Sequence, residues 1–188
     1  MRTAKTPLLC SFVLLGIVAG AAGCRSGGPY GHAPRYEALS DEERAVAGAR
    51  EYDPVMYGRE PEKWKAGRSM FFGVVTARVP GAGGGAYLTV SVRRLEPRNL
   101  CANGNDDDTC RVTVSDKDFG VAHAHVRLVG EDDVGDKSVG VGSLVRVVGR
   151  FDQAADGGDG APVLRADYVR HWPRHFYVTQ ASAEHMRQ

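Results

Sequence analysis

The chain has 188 residues, 43% of them hydrophobic and 25% charged, with a formal net charge of +1. That length suits one domain with appended segments, and the apolar content is enough for a buried core. Near-neutral charge removes the electrostatic footprint of a general nucleic-acid or anionic-lipid binder, so nucleic acid is not an expected partner.

Residues 1–23 read as an export signal. Arg2 and Lys5 precede an apolar stretch from Pro7 to Gly20, too short to span a bilayer comfortably. Two cleavage points are open. Ala19-Gly20-Ala21 offers small residues to an ordinary signal peptidase. Ala21-Ala22-Gly23-Cys24 resembles a bacterial lipobox, with Ala21 standing where Leu is more usual. Cysteine counting favours the second. Cleavage removes Cys10, and lipidation of Cys24 leaves Cys101 and Cys110 as one pair for an oxidising compartment. It also removes Arg2 and Lys5, so 165 residues remain with a net charge of −1. The lipobox implies diacylglyceryl and palmitate chains on Cys24. The residue after it is Arg25, not Asp. The family rule for lipoproteins then implies the outer membrane of a Gram-negative cell, with the protein facing the periplasm. A single isoleucine, Ile17, and an excess of Arg over Lys fit a GC-rich genome.

Residues 24–38, rich in Gly, Pro and small polar residues, read as a flexible tether. Ser40 with Glu43 three residues on forms a capping-box pattern, which predicts a short helix over about 40–52. Its few apolar residues, Leu39, Val46 and alanines, dock it weakly or leave it a spacer. Residues 53–67 read as irregular, with Trp64 pinning them to the domain. The segment 39–67 is thus short helix and connector, 68–178 the folded domain, and 179–188 a C-terminal tail.

From Ser69 the pattern becomes β. "SMFFGVVTARV" is rich in β-branched and aromatic residues and is broken by "GAGGG" at 81–85. In "AYLTVSVRRL", Leu88, Val90 and Val92 face one way and Thr89, Ser91 and Arg93 the other, which predicts a hairpin. "CRVTVSD" alternates again. "GVAHAHVRLVG" places Ala122, Ala124, Val126 and Leu128 on one face and His123, His125 and Arg127 on the other. "SLVRVVGRF" and "APVLRADYVRHW" complete five or six strands. Short strands with regular turn signals predict a barrel or sandwich, since an open sheet would leave edges exposed.

The stretch 139–173 resembles the last two strands of an OB-fold: Gly142, Val145, Val147 and Gly149, a polar turn, then a strand ending near Trp172. Glycine suits the sharp corners of a small barrel. With the hairpin upstream and the lipobox, the layout resembles the Slp-type outer-membrane lipoproteins, which implies a mostly β chain. Its centre would be a small five- to six-stranded OB-like barrel, preceded by a lipobox signal, flexible tether and one short helix. The usual helix between the third and fourth strands has no support in "GEDDVGDKSVG", so a loop is expected there.

Candidate sites are few. Asn103, Asn105 and Asp106 to Asp108, between Cys101 and Cys110, could attract Ca²⁺ but lack the glycine and distal glutamate of an EF-hand. They read as a solvated hairpin tip, and "DGGDG" at 156–160 is a weaker case. His123 and His125 could share a metal, with His171 and His175 joining if the chain folds that way; a solvent-facing polar stripe is the plainer reading. Arg93, Arg94, Arg98, Arg111 and Arg146 could supply positive groups to an OB ligand face, and Tyr87 an exposed ring. There is no Gly-x-Ser-x-Gly, and "GAGGG" lacks the Lys of a phosphate loop. No catalytic residue, cofactor or metal is expected. The resulting expectation is a non-enzymatic, lipid-anchored binding or scaffolding module. Its expected contacts are the membrane and an envelope protein, with a motility, secretion or envelope-maintenance machine as the larger assembly. The alternative is a periplasmic ligand or metal binder using His123 and His125, with hydrolytic activity.

Overall fold

The computed structural model describes Tyr30, residues 33–101 and residues 109–185. The expected signal and Cys24 lie outside the described residues, as do Asn103, Asn105 and Asp106 to Asp108. The N-terminal part holds α1 (Ser40–Val46), β1 (Arg50–Glu51), α2 (Pro54–Arg59) and α3 (Pro61–Lys65). Then come β2 (Ser69–Pro80), β3 (Gly85–Arg93), β4 (Val112–Val114), β5 (Val121–Arg127), β6 (Leu144–Asp156) and β7 (Pro162–Trp172). β8 (Tyr177–Thr179) and α4 (Gln180–His185) end the described chain.

β2, β3, β5, β7 and β6 pair in that order, and β6 returns to β2 to close a barrel. β5 and β7 run parallel, with His123 beside Val163, and the other barrel seams are antiparallel. First, second, third, fifth, fourth and back to first is OB topology, so the mostly β, OB-like expectation holds. The link from β5 to β6 is a loop with one short 3₁₀ turn, Gly130–Asp132, where an OB-fold usually has a helix. "CRVTVSD" does form a strand, but β4 lies outside the barrel and pairs in parallel with β8.

Alternation places the core. Leu88, Val90 and Val92 of β3, Ala122, Ala124 and Val126 of β5, and Val145 and Val147 of β6 are all buried inside the barrel. Burying each Val or Leu contributes roughly 1.5–3 kcal/mol. Gly149 sits at a register shift between β6 and β7, where a Cβ would stand 2.0 Å from the Arg165 carbonyl oxygen. Only glycine lets the strands approach so closely. Gly142, which leads into β6, has φ +88°, a conformation that side chains resist.

A second core covers the outside of β2, β6 and β7. Phe72, Leu144 and Trp172 pack there with Val112 and Val114 of β4, beneath Tyr30, Tyr36 and Phe176. Trp172 is fully buried and its indole Nε1 donates to the Tyr30 carbonyl at 2.7 Å. The last residues of the expected tether are therefore held on the barrel. Asn99 fastens them too, accepting no freedom at Ala33 and Pro34: its side chain donates to the first carbonyl and its amide to the second.

α1 is shorter than expected and is capped one residue earlier. The Glu42 carboxylate, not that of Glu43, turns back to accept the Leu39 amide at 3.1 Å, so Ser40 is inside the helix rather than its cap. Its docking is specific rather than weak. Glu42 is fully buried between Arg146 at 2.5 Å and Arg170 at 2.6 Å, and Tyr36 donates its hydroxyl to the same carboxylate. The two arginines are cross-strand neighbours, stacked on Phe72 and Trp172 respectively.

Two further expectations need correction. Residues 53–67 are not irregular. Asp53 caps α2 by accepting the Val55 and Met56 amides, and Pro54 and Pro61 each open a helix. Trp64 does pin this segment, buried against Tyr52. The region read as a tail contains α4, whose Ala183 packs with Leu100 and Val178.

Cys101 and Cys110 are disulfide-bonded beside the Leu100–Arg111 bridge. Closing a loop of about ten residues contributes roughly 2–3 kcal/mol in the chain-entropy model. Thiol labelling of unreduced, denatured protein should find neither cysteine free. Cys101→Ser with Cys110→Ser should lower stability by about that amount without loss of the barrel, read by urea unfolding.

Candidate functional site

The outward side chains of four barrel strands line up in register. Val79 of β2 pairs with Tyr87 of β3, Tyr87 with His125 of β5, and His125 with Arg165 of β7. Val79 is 60% exposed and Tyr87 51%. The Tyr87 and His125 rings stack at 4.5 Å and 6°. Arg165 is exposed at the end of the row, held by the Asp152 carboxylate at 2.5 Å. The glycine loop between β2 and β3 borders the row: a Cβ on Gly85 would stand 3.4 Å from His125 Nε2.

The neighbouring row carries Thr89 and His123. Thr89 Oγ1 lies 3.3 Å from His123 Nδ1, and His123 Nε2 is 3.0 Å from Asp159 of the β6–β7 turn. The Ala161 amide first, and then His123, hold the Asp159 carboxyl below its usual 3.8. That turn closes over the ring; a Cβ on Gly157 would meet His123 Nε2 at 2.1 Å. His123 is thereby a clamp for the turn, and its ring is mostly covered.

The remaining candidates scatter. His171 is buried on the opposite flank, with Nε2 2.8 Å from the Lys137 carbonyl and Nδ1 3.2 Å from Asp132. It is eight residues along β7 from Val163, the partner of His123, or about 26 Å of strand. His175 follows in an exposed turn at φ 78°. His171 and His175 therefore do not join His123 and His125. Among the described residues no three His, Cys, Asp or Glu side chains group as a metal site. Arg146 is no ligand group, because it is buried against Glu42. Arg98 is exposed after β3, and Arg111 lies over Phe176. Arg93 and Arg94 sit together at the far end of β3 from Tyr87. Val79 and Arg165 escaped the sequence reading, and Asp159, read there only as part of a weak cation candidate, escaped it as the partner of His123. Strand parity assigns Val79 and Arg165 outward, but their neighbours are set by the β2–β3 register and the parallel β5–β7 seam, which a sequence does not display.

The row is a flat, exposed platform: an aliphatic end, a stacked aromatic pair and an oriented guanidinium. It can make broad face contact with a partner, with Arg165 and Asp152 fixing direction at the edge.

No protein-family model matches the chain, and no curated protein matches it. Among solved structures it is similar to a small single-stranded DNA-binding protein from Streptomyces coelicolor, at 16% identity and a TM-score of 0.30, covering 56% of this chain and 93% of that one.

Proposed function

We propose that this chain is a lipid-anchored protein of the outer membrane, facing the periplasm, whose OB-like barrel is a non-enzymatic binding module for an envelope protein. The observation that carries the binding role is the exposed Val79–Tyr87–His125–Arg165 row. The lipobox at Ala21 to Cys24 and the Cys101–Cys110 pair support the compartment. A mature lipoprotein holds two or three acyl chains, each buried CH₂ contributing about 0.8 kcal/mol, so anchoring needs no charged surface. Metabolic labelling with an alkynyl palmitate should mark the wild type and not Cys24→Ala. Unlabelled wild type released by osmotic shock would contradict the anchor and place the cut after Ala21.

For the binding role, protein purified from crosslinked membranes should bring down a defined envelope partner. Tyr87→Ala should reduce that recovery by about tenfold or more, as expected of an aromatic anchor, with unfolding unchanged. Recovery of wild type as a free monomer would count against it.

The line Thr89–His123–Asp159 favours a second reading, a hydrolase with Thr89 as nucleophile and His123 as base. A fluorophosphonate probe that labels wild type and not Thr89→Val would favour it. Stoichiometric zinc in tag-free protein, lost on His123→Ala with His125→Ala, would instead favour a metal binder.

A further inference from the structure

A cleft of about 210 Å³ opens at the end of the barrel away from the Tyr87 row. Six residues of β3 separate Tyr87 from Arg93, or about 20 Å. Tyr52, Phe71 and Val92, all buried, supply the apolar wall, and α2 closes one side with Pro54 and Val55. Arg93, Arg94 and Lys117 bring three positive charges to the cleft. Arg94 Cζ lies 4.4 Å and Lys117 Nζ 5.3 Å from the centre of the Phe119 ring, so two cations share one aromatic ring.

Glu51 and Asp53 also line the cleft, so three positive charges face two negative ones and the lining carries a net charge of +1. Among the described residues none of the three makes an ion pair. Arg93 Nη1 donates to a carbonyl, that of Asp116, and its Nε is buried without a hydrogen-bond partner. Of the nearby carboxylates, Asp53 accepts the Val55 and Met56 amides, Asp118 accepts from Ser91 and Gly120, and Asp116 accepts the Ala181 amide. Like charges gathered over apolar walls repel one another, and an anion between them relieves that repulsion.

We propose that this cleft binds a small organic monoanion: an apolar or aromatic body against Phe119 and Val92, and a carboxylate held by Arg93, Arg94 and Lys117. Glu51 and Asp53, which also line the cleft, disfavour a second negative charge. The volume, below the roughly 300–1,000 Å³ of drug-sized pockets, keeps the ligand small. This site stands independently of the binding row.

The probe is 3-phenylpropionate, titrated into the full chain and followed by amide chemical shifts. Saturable shifts should appear at Val92, Lys117 and Phe119. Acetate, lacking the body, and 3-phenylpropylamine, lacking the negative charge, should bind at least about tenfold more weakly. Arg94→Gln with Lys117→Gln, both exposed, should weaken the propionate by a similar factor, and Tyr87→Ala should leave it unchanged. No saturable shift, equal binding of the amine, or full affinity in the double variant would overturn the assignment.

Discussion

Glu42→Ala is expected to destabilise the protein by about 3–5 kcal/mol, the cost of removing one partner from a buried charge cluster. Arg146 and Arg170 would remain buried with no carboxylate between them, and Tyr36 would lose its acceptor. The Leu39 amide would also lose its cap. Guanidinium unfolding gives the magnitude, and hydrogen exchange should show α1 opening first. A change below about 1 kcal/mol would mean that the helix contributes little to the folded state. The same cluster sets an acid limit. Burial pushes the Glu42 carboxyl up, but hydrogen bonds from Tyr36, Arg146 and Arg170 outweigh it, so it lies below 4.5 in the folded state. The unfolded chain then takes up the proton first. The contribution of Glu42 is fully present above pH 4.5 and is lost as pH falls through the lowered folded value. Glu42→Gln should flatten that part of the stability profile.

Trp172→Ala should cost a further large amount, about 3–5 kcal/mol, for a different reason. The indole fills the outer core against Phe72 and Tyr36, carries Arg170 on its face, and donates to the Tyr30 carbonyl. Truncation leaves a cavity that the closed barrel cannot collapse around. Because Trp172 and Glu42 both hold Tyr36, the double variant should lose less than the two single losses combined, by about 0.5–3 kcal/mol. Trp172→Phe should recover part of the loss. It also leaves Trp64 as the remaining tryptophan, so fluorescence then reports the β1–α3 segment alone.

The barrel was legible because its strands carry period-two alternation: inward Leu88 against outward Thr89, inward Ala124 against outward His125. Gly142 and Gly149 were legible because small barrels need sharp corners and close approaches, and both occur where glycine was expected. The role of Glu42 was not. Its partners lie 104 and 128 residues away, and a glutamate in the first helical turn ordinarily reads as solvated. The capping pattern slipped by one residue because the outer core, rather than Ser40, sets where α1 begins: Glu42 must reach Arg146. "CRVTVSD" alternates as a strand and forms one, but its place outside the barrel is not legible, since β4 takes its neighbour, β8, from a stretch with no strand signal beyond Tyr177 and Val178. The platform was half visible. Tyr87 and His125 stood out singly, but their stacking follows from register, and Arg165 joins only through the parallel seam. An arginine between valines looks outward and free; Arg146 does face outward, but beneath α1, against Glu42.

Binding through the Tyr87 face is read in growing cells by placing the photocrosslinking residue p-benzoylphenylalanine at Tyr87, with Arg59, at the end of α2 and away from the row, as the control position. One discrete envelope-protein adduct is expected at Tyr87, none at Arg59, and loss of the adduct when Cys24→Ala detaches the chain from the membrane. No adduct at Tyr87, or the same adducts at both positions, would contradict a binding module that works through this face of the barrel.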